Sequence, residues 1–224
     1  MTLRLRHVSC LALAAPFLAA CGDDGVRGDA GAVDSGGDAD GDAGGDSGPP
    51  YDPTVGNSFD GPLDLDDSRV TMMDPMGLPA SASPCREPIL GRVRFVTDGD
   101  TISVNGISEP LSESVRLIGV DSPEIAHDGT AADCYGPEAA EFTGQLRNHI
   151  VWLTFDAECV DRFGRLLAYV WVGEGPQDMW ERQMLRRGFG TQLTISPNTA
   201  HSDTLRQDEL AAQREGTGLW SACR

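Results

Sequence analysis

A compositional break near residue 84 decides where this chain can fold. From Gly22 to about Pro84 the sequence is Gly, Asp, Ala, Ser and Pro with few large apolar residues. Such a stretch cannot bury enough surface to offset the entropy lost on ordering, so residues 22–84 read as a disordered tether. A flexible tether of 63 residues has an r.m.s. reach of roughly 45 Å. Residues 85–224 are patterned differently, and 140 residues suffice to enclose a core. Charge breaks at the same place. Residues 22–77 hold fourteen Asp against only Arg27 and Arg69, while residues 85–224 hold thirteen Arg against twenty-one Asp and Glu. Lysine is absent throughout. With a net charge of −18 the chain does not gather polyanions by its overall field. A polyanionic substrate must be held by a local group of arginines or by a bound cation. The acidic run Asp38-Ala39-Asp40-Gly41-Asp42 lacks the glycine and glutamate that a calcium-binding EF-hand loop needs, so it carries no such site.

Residues 1–21 read as a targeting segment. Arg4, Arg6 and His7 form a basic start, and Val8 to Ala20 is an apolar run too short to span a bilayer as a mature helix. The ending Leu18-Ala19-Ala20-Cys21 resembles a bacterial lipobox, which implies lipidation of Cys21 as the mature N-terminus. Gly22 follows in place of an inner-membrane retention aspartate. The expectation is an exported protein, either anchored to the cell envelope at the outer membrane by its lipid alone or extracellular. Without Cys10 and Cys21, Cys85, Cys134, Cys159 and Cys223 remain. An even count in an oxidising compartment suggests two disulfides, with three pairings open. No spacing of Cys or His supports zinc.

Residues 85–224 alternate between strand and helix signals. Ile89 to Val96 is rich in β-branched and aromatic residues, and an Asp98-Gly99 turn leads to Thr101–Val104, which marks a hairpin. Val115–Val120, Val151–Phe155 and Leu166–Val172 read as further strands. Pro137 and Glu138 open a helix with Ala139, Phe142, Leu146 and Ile150 on one face. Two more helices are predicted, from about Met179 to Arg187 and from Ser202 to Glu215, stopped by Gly188 and Gly216. The pattern predicts an α+β domain: a five-stranded, OB-fold-type Greek-key barrel with three α-helices. With no coiled-coil pattern, a monomer is the default.

Polar residues gather at the strand ends: Asp100, Arg116, Asp121-Ser122-Pro123-Glu124 and Asp161-Arg162-Phe163-Gly164-Arg165. Each alone reads as turn or cap chemistry. Together they supply hard oxygen donors, a general base and two guanidinium groups, the parts that phosphodiester hydrolysis requires. This combination resembles the staphylococcal nuclease (thermonuclease) family. The resemblance is carried by Val96–Ile102, Val115–Glu124, Tyr135–Ala139 and Asp161–Val170, with Gly216–Trp220 as a closing segment. It implies a nuclease acting on DNA and/or RNA, with Ca²⁺ held by Asp100, Asp121 and the backbone carbonyl of Ser122. Glu124 would activate water, Arg116 and Arg165 would clamp the phosphate, and the products would carry 3′-phosphates. Arg162 and Phe163 would contribute substrate contacts. The resemblance also implies a Cys134–Cys223 disulfide, and with it Cys85–Cys159. Phe163 stands where the best-known member has a tyrosine, and Leu193 and Ile195 replace two more. A catalytically silent binding module of the same fold is the alternative, expected when acidic ligands or arginines are lost; here all are present. A calcium-dependent surface protein would leave Arg116, Glu124 and Arg165 without a role.

Overall fold

The structure, a computed structural model, describes residues 51–79, 81–127 and 129–223. The targeting segment, Cys21 and residues 22–50 of the expected tether lie outside the described residues.

Five strands close into a barrel in the order β1-β2-β3-β6-β5. These are β1 (Ile89–Asp98), β2 (Thr101–Gly106), β3 (Ser112–Leu117), β5 (Ile150–Thr154) and β6 (Leu166–Trp171), with β4 (Val120–Asp121) between β3 and β5 in sequence. Alternation sends Ile102 and Val104 of β2 and Val115 and Leu117 of β3 inward, where all four are buried. From β5 and β6, Leu153, Ala168 and Val170 join them, and Trp171 is likewise buried. All barrel pairings are antiparallel except one. β3 and β6 run parallel through Val115–Leu166, Arg116–Leu167 and Leu117–Ala168. That pairing is staggered, so the end of β3 lies beside the start of β6. A second, two-stranded sheet pairs β4 with β7 (Thr191–Gln192).

Helices cover one side of the barrel. In α2 (Gly136–Gly144), Ala139, Phe142 and Thr143 are buried. The Phe142 ring stacks on Trp180 at 4.8 Å and on Phe189 at 4.3 Å between centroids. Trp180 opens α3 (Trp180–Arg186), and α4 (Ser202–Glu215) ends on Gly216 in the left-handed region, as the sequence predicts. The α2 helix stops earlier than its apolar spacing suggests. Leu146 is buried beyond its end, and Ile150 opens β5 rather than a fourth helical turn. Two short helices, α1 (Asp67–Met72) and α5 (Leu219–Ala222), add to the three expected. Disulfides join Cys85 to Cys159 and Cys134 to Cys223, with Cα atoms 5.7 and 5.8 Å apart. No helix among the described residues is long and apolar enough to cross a membrane.

The expected tether needs correction over its described part. Residues 51–79 form an ordered strap against the domain. Val70, Met73 and Leu78 are buried in the same core as the barrel residues. Trp152 donates its indole N–H to the Val70 carbonyl (2.9 Å), and Ile150 donates its backbone N–H to Asp67 (2.9 Å). The strap is fixed above all by Asp178, which is fully buried. Asp178 Oδ1 accepts from the backbone and side-chain amides of Asn57, both at 2.7 Å. Its Oδ2 accepts from the Tyr51 hydroxyl at 2.5 Å and from Gly175 N–H at 2.9 Å. Burial, reinforced by Asp178, pushes the Tyr51 hydroxyl up to about 12, so it stays a donor. Composition misjudged this segment because three apolar anchors and several aspartate acceptors do what a continuous apolar face does elsewhere.

Two stability predictions follow from these buried carboxyls. Asp178→Ala strands four donors and should destabilise the protein by about 3 kcal/mol or more, with proteolysis now cutting between Tyr51 and Leu78. Unchanged urea unfolding and protease resistance would contradict that anchor. Glu181 on α3 is fully buried and accepts from the Val170 N–H. Burial pushes its carboxyl well above the ordinary range. Between the ordinary carboxylate value and the raised one it is protonated in the fold and ionised in the unfolded chain, so its contribution to stability falls as pH rises through that window. Glu181→Gln should remove that loss, and its stability gain over wild type should be larger at pH 8 than at pH 5 in paired urea titrations.

Candidate active site

The site forms where three strand ends meet. Asp100 follows the β1–β2 turn, Arg116 lies near the end of β3 and in register with Thr101 and Leu167, and Arg165 immediately precedes β6. Gly99 makes the approach possible. A Cβ there would come within 2.6 Å of Ser122 Cβ and 3.0 Å of Ala139 Cβ, so only glycine lets β4 and α2 close on this turn. Thr143 of α2 donates its hydroxyl to the Gly99 carbonyl at 2.6 Å, which fixes the turn from the helix side.

Arg116 bridges two carboxylates. Its Nη2 donates to Asp121 Oδ1 at 2.8 Å, and its Nη1 makes an ion contact with Asp100 Oδ2 without hydrogen-bond alignment. Asp100 is buried, Asp121 exposed. Asp100 also accepts from Ser122 N–H at 2.8 Å and from the Thr101 hydroxyl at 3.1 Å. Ser122 is thus held against the Asp100 carboxylate through its backbone, whatever its side chain. Asp98 lies beside this group and accepts from Asp100 N–H. Burial and then the Asp100 charge push its carboxyl up to about 6. Asp100 and Asp121 thus face a single guanidinium.

This donor set fits a hard cation. Two carboxylates converge with a surplus of negative charge, and all donors are oxygen. Among the described residues no three Asp, Glu, His or Cys side chains come together to hold an ion by themselves. Any further ligands must be backbone carbonyls or water, as calcium, with its large coordination number, accepts.

Arg165 is held on the other side. Its Nε donates to Asp161 Oδ2 at 2.7 Å, while Asp161 Oδ1 accepts from the backbone of both Phe163 and Arg165 at 2.9 Å. Burial opposes ionisation of Asp161, but the Arg165 side chain and these two N–H groups outweigh it and hold the carboxyl below its ordinary value. Asp161 stays charged and aims Arg165. Phe163 is 69% exposed, with Arg162 4.7 Å and Arg165 5.5 Å from its ring centre. Arg116, Arg162, Phe163 and Arg165 all line one cavity of about 530 Å³, together with Leu193 and Ile195.

Glu124 is exposed on the loop after β4 and is not among the residues that line this cavity. Its backbone is pinned by Asp133, which accepts from Glu124 N–H at 3.3 Å and returns its own N–H to the Glu124 carbonyl at 2.9 Å. Cys134, next in sequence, ties this loop to Cys223. The positioning roles of Asp161 and Asp133 escape a reading of the sequence. Asp161 offers a partial signal, since an aspartate opening a tight turn caps that turn with its own side chain.

Known proteins share this arrangement of sequence. A family profile described as staphylococcal nuclease homologue matches residues 114–222. The thermonuclease of Staphylococcus hyicus is 35% identical over 131 residues, which cover 58% of this chain and 75% of that protein. The thermonuclease of Staphylococcus intermedius is 36% identical over 129 residues, 57% of this chain and 74% of its own. Endonuclease YncB of Bacillus subtilis is 35% identical over 127 residues, 55% of this chain and 58% of its own. With the five-stranded barrel and the strand-end residues in the same chain, this protein belongs to the staphylococcal nuclease family and is a nuclease.

Proposed function

We propose that this nuclease hydrolyses phosphodiester bonds of DNA and/or RNA with Ca²⁺, releasing a 5′-hydroxyl and leaving a 3′-phosphate. The observation that carries the reading is that Arg116 and Arg165 line one cavity, while Arg116 also holds Asp100 and Asp121 at its edge. Asp100, Asp121 and the Ser122 carbonyl would hold the calcium ion. When bound, the ion supplies positive charge to the phosphate oxygens. Arg116 and Arg165 donate to the same oxygens, where charge grows as phosphorus becomes pentacoordinate. Glu124 takes a proton from the water that attacks phosphorus, and the bond to the 5′-oxygen breaks as Arg165 supports that leaving oxygen, which takes up a proton from solvent to become the 5′-hydroxyl. Phe163, flanked by Arg162, offers the substrate a cationic aromatic surface.

We place the protein on the cell envelope as an exported monomer, anchored to the outer membrane through lipidated Cys21. The sequence Leu18-Ala19-Ala20-Cys21 supports this, as do two disulfides, which form in oxidising compartments.

Glu124→Gln, Arg116→Ala and Arg165→Ala should each lower kcat on single-stranded DNA by about 10²–10³-fold, with the folded domain retained by circular dichroism. Chelation of Ca²⁺ should abolish cleavage of DNA and RNA alike. Near-wild-type turnover by Glu124→Gln, or cleavage indifferent to chelator, would overturn the mechanism. Metabolic labelling with a fatty acid should mark the full chain and not Cys21→Ala; an unlabelled wild type would refute the anchor.

A further inference from the structure

The outer face of the barrel carries an aromatic residue that strand alternation alone would bury. On β1, Val93 points inward and pairs with Val104. Simple alternation would send Arg94 out and Phe95 back into the core. A β-bulge intervenes: the next pair is Phe95–Ser103, so Arg94 is the extra residue and the register shifts by one. A one-residue shift moves a side chain to the opposite face of a strand. Phe95 is accordingly 68% exposed, and Arg94 is exposed beside it. Arg94 makes no ion pair among the described residues, whereas the neighbouring Arg92 is paired with Asp67 at 3.2 Å.

This face is continuous with the active site. Antiparallel register sets Phe95, Ser103 and Ser114 in one row across three strands, and the next row on the same face, two residues nearer the turn, holds Thr101 and Arg116. Two residues along a strand span about 6.8 Å and two strand spacings about 9.6 Å, which puts Phe95 at about 12 Å from Arg116 along the backbone surface. Arg94, Phe95, Ser103, Asn105 and Ser114 line a groove of about 430 Å³, with Glu113 as its one carboxylate. The groove pairs an exposed ring with hydroxyl and amide donors and a free guanidinium. That is the composition of a single-strand nucleic-acid platform, where bases stack on rings and arginine meets the backbone. Stacking tolerates any base and does not depend on net charge. In a lysine-free, acidic nuclease it supplies grip that the overall field cannot.

We infer that the Arg94–Phe95 face binds nucleotides of a single-stranded substrate adjoining the scissile phosphate, with Phe95 as a base-stacking residue. The inference rests on the nuclease activity and extends its substrate site to a surface outside the catalytic cavity. Duplex DNA, whose bases are already stacked, gains nothing from it, so this face should favour single strands.

The test is fluorescence anisotropy with a labelled 20-nucleotide single strand and the matching duplex, in chelator so that no cleavage occurs. Phe95→Ala should weaken single-strand binding by about 5- to 150-fold, the worth of one base–aromatic stack, and narrow the preference over duplex. Phe95→Trp should restore binding, and Glu113→Gln should tighten it. Ile107→Ala, which trims another exposed apolar side chain outside the groove, should change nothing. With Ca²⁺ present, Phe95→Ala should raise KM for the 20-mer by a similar factor while kcat holds. Single-strand binding equal to wild type in Phe95→Ala, or no measurable binding by wild type, would overturn the proposal. A failure of the nuclease mechanism would show differently, as absence of Ca²⁺-dependent turnover while the Phe95-dependent binding persists.

Discussion

Closure of the barrel rests on three residue pairs, Val115 with Leu166, Arg116 with Leu167 and Leu117 with Ala168. Parallel pairing requires the connecting chain to cross back to the same end. Here that crossing contains α2, β5 and the Asp161 turn. The stagger of the pairing sets the end of one strand against the beginning of another. The proposed chemistry depends on that offset. It brings Arg116, from the last turn of residues in β3, into one cavity with Arg165, from the residue before β6. Without it the two guanidinium groups would occupy different faces of the molecule.

The second constraint is electrostatic. Asp100 is buried, and a buried carboxylate demands compensation. Ser122 N–H, the Thr101 hydroxyl and Arg116 provide it, and each comes from a different strand or strand end. The same contacts that satisfy Asp100 therefore bind β2, β3 and β4 at one point. The side chains to which the proposed mechanism assigns the metal are thus also structural ties, and they have little freedom to drift. Glu124 is under the opposite regime: its carboxylate is exposed, while its backbone is fixed by Asp133 and, one residue on, by the Cys134 disulfide.

Much of this is legible in the sequence, for identifiable reasons. The strands of the barrel are short and apolar on one side, so period-two patterning finds them. The helices α3 and α4 end on Gly188 and Gly216, whose left-handed backbone marks a stop that sequence displays openly. The carboxylates and arginines at strand ends are recognisable as a set, because together they supply the parts of one chemistry. What patterning misses depends on tertiary partners. Leu146 continues a helical spacing past the end of α2, because the core contact it makes does not require a helix. The strap at residues 51–79 looks like linker, because its order comes from Asp178 and Trp152, more than eighty residues away in each case. The outward turn of Phe95 is hidden too, since a bulge is a property of a pair of strands and neither strand announces it alone.

The strap has a consequence for what counts as the folding unit. Val70, Met73 and Leu78 complete the apolar core on the side of Trp152, and Asn57 and Tyr51 fill the hydrogen-bonding capacity of Asp178. A recombinant fragment begun at Cys85, where composition would suggest cutting, would strip Asp178 of three of its four donors and leave a greasy scar open to solvent. A boundary that keeps these contacts lies at or before Tyr51, upstream of everything the family profile marks.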